Sequence, residues 1–505
     1  MSRREAIDSA VRRLIAGERN LDRIKRDECR HYRIGSMLKN PELIEAFPPG
    51  TLTRELHELL LKKPSRTLSG VTPVAVMIRP QNSCRWGCAY CPFTGLAAKS
   101  YTGFEPAALR GRQYGFDPSL QASSRVRQFE GGGHPADKCE VIVMGGTFLE
   151  TEPAYKRDFI KGIYDGLNGF RSASLGEAIA ANERAPTHRA VGLTIETRPD
   201  VCVGHIGEML SYGATRVELG VQHPDDEIYR LINRGHLVKD VVESTRALKD
   251  AAFKVLYHIM PGLPGSGKEK DVSSVRRIFE DGRFRPDMLK IYPTLVMKGT
   301  ALHSMMERGE YSPYSAEEAA DVISEFYRHI PGYVRVMRIQ RDIPAGRIES
   351  GVKKSNLREL VDAKIKEKGI RPMEIRSREI GLRGGAKGGL EMRTLEYGAS
   401  GGKELFLSFE DEEDLIAGFL RLRLPGVAGT RAFVRELHVY GSEVPLDGEG
   451  KVQHRGLGTR LLAEAERLAG EEGMKELAII SGVGVREYYR KRGYSLKGPY
   501  MCRGL

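Results

Sequence analysis

Three cysteines lie close together in one short segment of the chain, at Cys84, Cys88 and Cys91. Thiolates at this spacing can bind three irons of a [4Fe–4S] cluster and leave the fourth iron without a protein ligand. That open iron can chelate the amino and carboxylate groups of S-adenosylmethionine, and the reduced cluster can then cleave the sulfonium to release a 5′-deoxyadenosyl radical. The alternative is a structural zinc ion, which normally needs four ligands; Cys139 or His134 could supply the fourth.

Flexible or polar residues follow several β-rich apolar segments. Gly145 and Gly146 end the second of these segments, and a glycine pair lets a ligand approach the backbone and hydrogen-bond to it. Glu196 and Gln222 follow the third and fourth segments, where they could bind ribose or substrate, or cap a helix. We take all four as candidate S-adenosylmethionine ligands.

A second motif, Gln453-His-Arg-Gly456-Leu-Gly458-Thr459, precedes a segment with helical spacing over 459–472 and resembles the Q/R-x-x-G-x-G/A loop of the GCN5-related acetyltransferases. Successive backbone N–H groups at a helix N-terminus can bind the pyrophosphate of acetyl-CoA, and small residues permit its close approach. The preceding β segment, 436–439, would pair with the pantetheine arm and face the thioester. Tyr488 and Tyr489 come later; a tyrosine here could protonate the departing thiolate, although either could instead be a core aromatic.

Six short β-rich segments alternate with helical ones in the first part of the chain. They lie at residues 74–78, 140–144, 191–195, 216–221, 254–259 and 288–292. This alternation predicts parallel βαβ units, and six strands favour a partial TIM-like (β/α)6 barrel over a short dinucleotide-binding unit. Chemistry in such a barrel takes place at the C-terminal ends of the strands, where the cysteines, the glycine pair, Glu196 and Gln222 lie.

The chain divides into four predicted regions. Residues 1–72 are basic and helical, either an amphipathic helix packed on a neighbour or a polyanion-binding surface, and residues 73–334 form the barrel domain. Residues 335–393 show little periodicity and a large surplus of Lys and Arg, and they include a Gly-rich tract at 381–389, so they are predicted to be a basic linker. Residues 394–505 form a mixed α/β domain, with strands predicted at 405–408, 415–423, 432–439 and 477–480.

The composition limits the class of protein. The chain has 505 residues and a formal net charge of +12, from 79 Lys+Arg against 67 Asp+Glu. Its hydrophobic content of 40% can form cores, which excludes a wholly disordered chain, and seven cysteines are too sparse for a secreted disulfide framework. The sequence shows neither a signal-peptide core nor a run near the ~20 apolar residues of a membrane span. We therefore expect a cytoplasmic protein with no membrane partner and a polyanionic ligand.

In this order, the motifs resemble one family: the catalytic subunit of Elongator and its stand-alone archaeal and bacterial relatives, the tRNA uridine(34) acetyltransferases. The resemblance runs from about residue 75 to the C-terminus. The segments that carry it are SYTGFEP at 100–106, VMGGTF at 143–148, GLTIETRPD at 192–200, ELGVQ at 218–222, YPTLV at 292–296, QRDIP at 340–344, ELHVYG at 436–441, SGVG at 481–484 and GPYM at 498–501.

The resemblance implies a radical-SAM barrel joined to an acetyltransferase domain of the GCN5-related (GNAT) type. It also implies a [4Fe–4S] cluster, S-adenosylmethionine and acetyl-CoA as cofactors, and the anticodon stem-loop of a tRNA as substrate. In the reaction proposed for the family, the deoxyadenosyl radical takes hydrogen from the acetyl methyl group, the carbon radical adds to C5 of the wobble uridine, and thioester hydrolysis leaves 5-carboxymethyluridine. A homodimer or Elongator-like subunits are further partners that the resemblance allows.

Several site residues follow from the resemblance alone. Lys138 matches a family lysine that contacts acetyl-CoA from the barrel domain, and Lys138 and Tyr489 are our catalytic candidates. The acetyl-CoA contacts of the family map onto Lys138, Glu436, Leu437, His438, Val439, Leu457, Gly458, Thr459 and Tyr489. Many relatives have a longer gap between the first two cluster cysteines, so we expect a tighter loop between Cys84 and Cys88.

Two other functions stay open at this point. One is a protein lysine acetyltransferase that uses the barrel as a scaffold, although the basic segment 335–393 argues against histone-like substrates, which are themselves basic. The other is a tRNA-binding scaffold whose cofactors only control its affinity for RNA. The hypotheses differ in whether product formation needs the cysteines and whether 5′-deoxyadenosine is released.

Overall fold

The computed structural model describes residues 2–62, 70–81, 84–146, 148–184, 187–385, 388–426, 429–440 and 456–505. Its N-terminal region consists of the helices α1 (Arg3–Ile15), α2 (Leu21–His31), α3 (Asn40–Ala46) and α4 (Arg54–Leu60). Ser2 and Glu5 form a capping box at the start of α1, and the apolar faces of the helices pack into a small core of their own. Arg3 and Arg13 pair with Glu42 and Glu28, so part of the basic surface is neutralised within the region.

The central domain is built on a parallel sheet whose strands follow one another in chain order. The strands are β1 (Thr72–Met77), β2 (Lys138–Met144), β3 (Arg189–Thr197), β4 (Arg216–Gln222), β5 (Lys254–Ile259), β6 (Met288–Ile291) and β7 (Arg335–Ile339). β1 and β7 are the two edges of this curled half barrel. The expected β/α barrel is therefore present, and its strands deliver their C-terminal ends to one face.

Helices pack around this sheet. Those between β1 and β4 are α5 (Pro106–Gln113), α6 (Pro118–Glu130), α7 (Pro153–Asn168), α8 (Leu175–Arg184), α9 (Pro199–Cys202) and α10 (Ile206–Ser211). Those after β4 are α11 (Asp226–Leu231), α12 (Val238–Asp250), α13 (Lys268–Glu280), α14 (Ala301–Glu307), α15 (Ala316–Phe326) and α16 (Leu357–Glu367). Among the described residues, none of these helices combines the length and apolar composition that a bilayer span requires.

The seventh strand corrects the sequence analysis, which ended the barrel at residue 334 and began a basic linker there. β7 instead completes the sheet beside β6. Two of its five residues are arginines, and they interrupt the run of apolar residues by which a buried strand is recognised in a sequence. Arg335 is half-buried, and it donates hydrogen bonds to the hydroxyl of Tyr440 at 2.6 Å and to the carboxylate of Glu379 at 2.8 Å. Tertiary partners thus allow charge where a strand pattern would call for apolar side chains.

In its described residues, the C-terminal domain is a mixed sheet with two α-helices. Its elements are β8 (Glu391–Ala399), β9 (Gly402–Glu410), β10 (Ile416–Leu424), β11 (Arg431–Val439), α17 (Leu457–Glu471), β12 (Glu476–Ile479), α18 (Arg486–Arg490), β13 (Ser495–Lys497) and β14 (Tyr500–Gly504). The described strands have the order β13-β14-β12-β11-β10-β9-β8, and among them only β11 and β12 are parallel neighbours. β8 is a largely exposed edge strand, which explains why the sequence showed no strand pattern before residue 405.

The barrel and the C-terminal domain share one continuous hydrophobic core, whereas the core of α1–α4 is separate. A buried ionic network also joins the two larger domains. Arg435 of β11 bonds Asp287, which precedes β6, at 2.6 Å and Glu404 of β9 at 2.8 Å. Lys249 of α12 lies 3.5 Å from Asp287 and 3.6 Å from Glu404. Because these charges compensate one another away from water, they fix how the two domains sit together.

Candidate active site

A cavity of about 840 Å³ opens at the C-terminal ends of the barrel strands. The loop after β1 places Cys84, Cys88 and Cys91 in its wall. Cys88 is buried, and a guanidinium N–H of Arg234 donates to its sulfur at 3.5 Å. Burial acts to raise the pKa of Cys88, but the nearby Arg234 outweighs burial and lowers the pKa. Arg234 thus makes the thiolate form that a metal ligand needs more accessible at Cys88 than burial alone would.

The glycine pair after β2 makes a tight turn beside the same cavity. Gly145 has φ +133°, and a Cβ there would come within 2.5 Å of Ile78, so a larger residue is excluded by both strain and space. A Cβ on Gly146 would meet nothing within 4 Å, and Gly146 lines the cavity. The turn thus leaves room at Gly146 for a ligand to reach the backbone.

Glu196 and Gln222 are both brought to this cavity, as the sequence predicted. The buried carboxylate of Glu196 accepts hydrogen bonds from the hydroxyl of Tyr101 at 2.7 Å and from the backbone N–H of Gly145 at 3.4 Å. Gln222 ends β4 with φ +69°, and its side-chain oxygen is buried without a hydrogen-bond partner among the described residues. An orphaned buried acceptor is costly, and a donor from a bound ligand would satisfy it.

A second cavity, of about 1010 Å³, lies between the barrel and the C-terminal domain. β11 lines it because the strand loses a neighbour. Its pairing with β12 ends at Val434, and Arg435 forms a bulge against β10. Beyond the bulge, the side of β11 that faced β12 turns to the cavity. The predicted contact residues of this strand, Glu436, Leu437, His438 and Val439, all line the cavity.

Charge and burial differ along this part of β11. Burial acts to raise the pKa of Glu436, but Lys254 and Arg421 outweigh burial and lower the pKa. The ring of His438 is stacked near Phe419, and burial lowers the pKa of His438. Glu436 is thus an ionised partner of Arg421, whose Nε lies 2.8 Å away, and His438 is a neutral imidazole.

The start of α17 faces the same cavity. Gly456 precedes the helix with φ +72°, no side chain of the described residues caps the first turn, and Leu457, Gly458 and Thr459 line the cavity. The N–H groups of a helix's first turn carry the positive end of the helix dipole. The predicted motif residues Gln453, His454 and Arg455 lie outside the described residues.

The two tyrosines of α18 sit differently. The ring of Tyr488 lies under the guanidinium of Arg492 at 3.6 Å, and Arg492 donates to the hydroxyl of Thr459 at 3.1 Å. Tyr489 is buried, packed edge-on against Tyr494, and burial raises its pKa. Both tyrosines border the second cavity, so the core interpretation and the site interpretation are compatible for Tyr489.

The two cavities meet at a shared wall. Pro73, Ile142, Lys290 and Arg338 line both of them, and Lys138 at the start of β2 lines the second. Lys290 pairs with the fully buried Glu218 of β4, whose carboxylate also lies 2.7 Å from a ring nitrogen of His258. The sequence analysis missed this group; its signal was charge inside strands that are otherwise buried and apolar. Groups bound in the two cavities would therefore be neighbours.

Family models match nearly the whole chain. They are the ELP3 N-terminal domain over residues 3–68, the radical SAM superfamily over 78–277, the Radical_SAM C-terminal domain over 286–367 and the acetyltransferase (GNAT) family over 386–494.

Full-length relatives agree with these models. The chain is 49% identical to the tRNA uridine(34) acetyltransferase of Dehalococcoides mccartyi, over 88% of this chain and 100% of that protein. It is 41% identical to human Elongator complex protein 3, over 96% of this chain and 93% of that protein. The solved structure of Methanocaldococcus infernus Elp3 with an N-terminal deletion superimposes with a TM-score of 0.78 at 46% identity, covering 87% of this chain and 100% of that one.

The chain belongs to the Elongator complex protein 3 family. The family confirms the predicted fold, a radical-SAM barrel joined to a GNAT domain, and it favours an iron–sulfur cluster over structural zinc. Its cofactors are a [4Fe–4S] cluster, S-adenosylmethionine and acetyl-CoA. The residues present fit these groups. Three thiol sulfurs border one cavity together with the Gln222 oxygen, which lacks a partner among the described residues, and a helix N-terminus suited to phosphate borders the other.

Proposed function

We propose that this chain is a tRNA uridine(34) acetyltransferase that forms 5-carboxymethyluridine at the wobble position of tRNA. The observation that carries the proposal is the shared wall of the two cavities, which brings a radical-generating site and a thioester site together in one cleft. A base could turn the acetyl methyl group into a carbanion, but a carbanion does not add to the electron-rich C5 of uracil. A carbon radical can add to the C5–C6 π bond, so this substitution calls for a radical. The names of the relatives support the same substrate.

In the barrel cavity, Cys84, Cys88 and Cys91 would hold the cluster, and Gly145, Gly146, Glu196 and Gln222 would hold S-adenosylmethionine. Together these groups supply the organic radical. Glu196 keeps the glycine turn closed through its hydrogen bond to Gly145, and Gln222 offers an unpaired acceptor to an amino or hydroxyl group.

In the second cavity, the first turn of α17 would bind the acetyl-CoA pyrophosphate through Leu457, Gly458 and Thr459. The unpaired side of β11 over 436–439 would hydrogen-bond the pantetheine arm. Lys138 approaches from the barrel side, and Tyr489 would donate a proton to the thiolate that leaves on hydrolysis. Burial raises the pKa of Tyr489, so its hydroxyl is protonated in the neutral range and gives up its proton only to a strong base such as the leaving thiolate.

The partner of the reaction is tRNA, and cytoplasmic location would follow from that substrate. Association with a second copy or with Elongator-like subunits stays a prediction. A protein lysine acetyltransferase would use only the second cavity, and a tRNA-binding scaffold would use the cofactors without turnover. The shared wall favours the tRNA-modifying enzyme over both, because neither alternative requires the two cavities to meet.

The test is anaerobic incubation of the reconstituted protein with tRNA, S-adenosylmethionine, acetyl-CoA and a reductant, followed by mass spectrometry of the nucleosides. We expect 5-carboxymethyluridine and 5′-deoxyadenosine, both lost in Cys88→Ser and both retained in Cys29→Ser, whose sulfur lies in the separate helical region. Unchanged uridine in every candidate tRNA would defeat the proposal. Carboxymethyluridine that still forms in Cys88→Ser would rule out the cluster-dependent radical mechanism.

A further inference from the structure

Each residue of the segment 232–235, which follows α11, contacts the loop that carries the cysteines. The carbonyl of Ile232 accepts from the backbone N–H of Ala89 at 2.9 Å. The side chain of Asn233 donates to the carbonyl of Gly87 at 3.1 Å. A Cβ on Gly235 would fall 2.1 Å from the ring of Trp86, so only glycine lets that ring pack here. The loop that carries the cysteines is therefore fixed from one side by a single short segment.

Arg234 is the member of this segment that reaches a cysteine. One of its terminal N–H groups donates to the sulfur of Cys88 at 3.5 Å, and the other donates to the carbonyl of Gly220 at the end region of β4. Arg198 donates to the backbone carbonyl of Arg234 at 2.7 Å and so fixes its backbone. Arg234 is only 7% exposed, and its Nε is buried with no partner among the described residues.

The charge of Arg234 is not neutralised by a carboxylate in its contacts among the described residues. The partner that the fold offers to this charge is the sulfur of Cys88, and both side chains are buried. The neighbouring cation Arg198 is different, because it pairs with Asp200 at 3.0 Å. A buried, uncompensated cation at a cluster ligand acts with little screening on the charge of the cluster.

We infer that Arg234 is a positioning residue that acts through Cys88 to raise the reduction potential of the cluster and to hold its loop. Reduction adds one negative charge to the cluster, and a cation with an N–H donor at a ligand sulfur stabilises that charge. The inference rests on the cluster assignment made above, and it is independent of the tRNA reaction. It gives the cysteine loop a tuning residue outside the Cys motif.

The test measures the cluster itself, without tRNA or acetyl-CoA. The full chain is reconstituted anaerobically as wild type, Arg234→Met, Arg234→Gln and Arg85→Gln, and the cluster potential is measured by redox titration followed by electron paramagnetic resonance. Arg85→Gln is the matched control, since it removes the same charge from the cysteine loop at a side chain that is 66% exposed. We expect a more negative potential in both Arg234 variants and the wild-type potential in Arg85→Gln.

Two results would overturn the inference. One is a wild-type potential in Arg234→Gln, which keeps an N–H donor but loses the charge. The other is an equal shift in Arg85→Gln, which would mean that any charge near the loop has the same effect. If Arg234→Met binds no iron, Arg234→Gln alone decides, and its iron content and absorption spectrum confirm that the cluster is assembled. If the wild-type protein fails to modify tRNA but the Arg234 variants still show the expected shift in cluster potential, the proposed function is rejected and this inference stands.

Discussion

Gly458 shows how a single residue shapes the second cavity. A Cβ at this position would lie 3.0 Å from the hydroxyl of Tyr488, 3.7 Å from Val439 and 3.9 Å from Leu437. The space beside the first turn of α17 is thus already bounded by side chains of β11 and α18. A ligand phosphate can reach the helix N–H groups only while this position carries no side chain.

Gly458→Val is therefore expected to weaken acetyl-CoA binding by roughly 10- to 100-fold, the equivalent of one or two lost charge-assisted hydrogen bonds. Calorimetric titration with acetyl-CoA measures it. The control is Gly470→Ala in the same helix, where a Cβ meets nothing within 4 Å and affinity should be unchanged. Equal affinity of Gly458→Val and wild type would show that the pyrophosphate binds elsewhere.

β11 carries two roles along one strand. Its first half is a regular strand between β10 and β12, and its second half leaves β12 to line the cavity. The change takes place at the bulged Arg435, which is fully buried in the ionic network with Asp287 and Glu404. The network therefore anchors the strand to the barrel at the point where the strand becomes part of the site.

Removing Arg435 should be far more costly than removing another arginine of the same strand. Arg435→Met leaves two buried carboxylates with one partner fewer, so we expect a loss of about 3–5 kcal/mol in the free energy of unfolding. Arg431→Met removes a pair with Glu476 whose arginine is 46% exposed, so we expect a change of about 0–1 kcal/mol. Guanidinium unfolding followed by circular dichroism compares them. Similar losses would mean that the network does not hold the domains.

For the whole molecule, the structure revises where positive charge is available to an RNA. Many of the Lys and Arg residues that give 335–393 its surplus of positive charge form ion pairs within the chain. The paired cations are Arg335, Arg338, Lys354, Arg358, Lys364, Lys368, Arg371, Arg378 and Arg393. Arg341 instead lines the barrel cavity. The exposed Arg347 stacks at 3.6 Å over Phe104, the residue before Glu105 in the wall of that cavity. A stacked, exposed arginine suits a splayed nucleotide.

Arg347→Gln is expected to weaken tRNA binding and to lower the slope of log affinity against log salt by about one. Arg371→Gln is the control, because Asp414 at 2.5 Å already compensates that charge. Filter binding over a range of salt concentrations measures both. If the two variants lose the same affinity, the basic segment binds tRNA through its total charge and not through the stacked Arg347.

The sequence by itself determined the chemistry and most of the elements. Cysteine spacing, a glycine pair at a strand end and a glycine-rich helix start are local patterns, and each follows from what one short stretch of backbone must do. Alternating apolar segments likewise predicted six barrel strands. The linker prediction for 335–393 was wrong at both ends, since β7 and the start of β8 lie there. β7 carries arginines that only distant partners neutralise, and β8 is too exposed to show an apolar face.

Only the tertiary structure decided how the parts meet. Lys290, Glu218 and His258 come from three different strands, and nothing in their local sequence shows that they lie together beside the wall between the cavities. Arg234 is far along the chain from Cys88, yet it contacts the sulfur. Such contacts depend on strand order, burial and the compensation of charges across domains. The type and spacing of residues in the sequence indicate which of them can do chemistry, whereas tertiary packing determines which of them act on the same bound group.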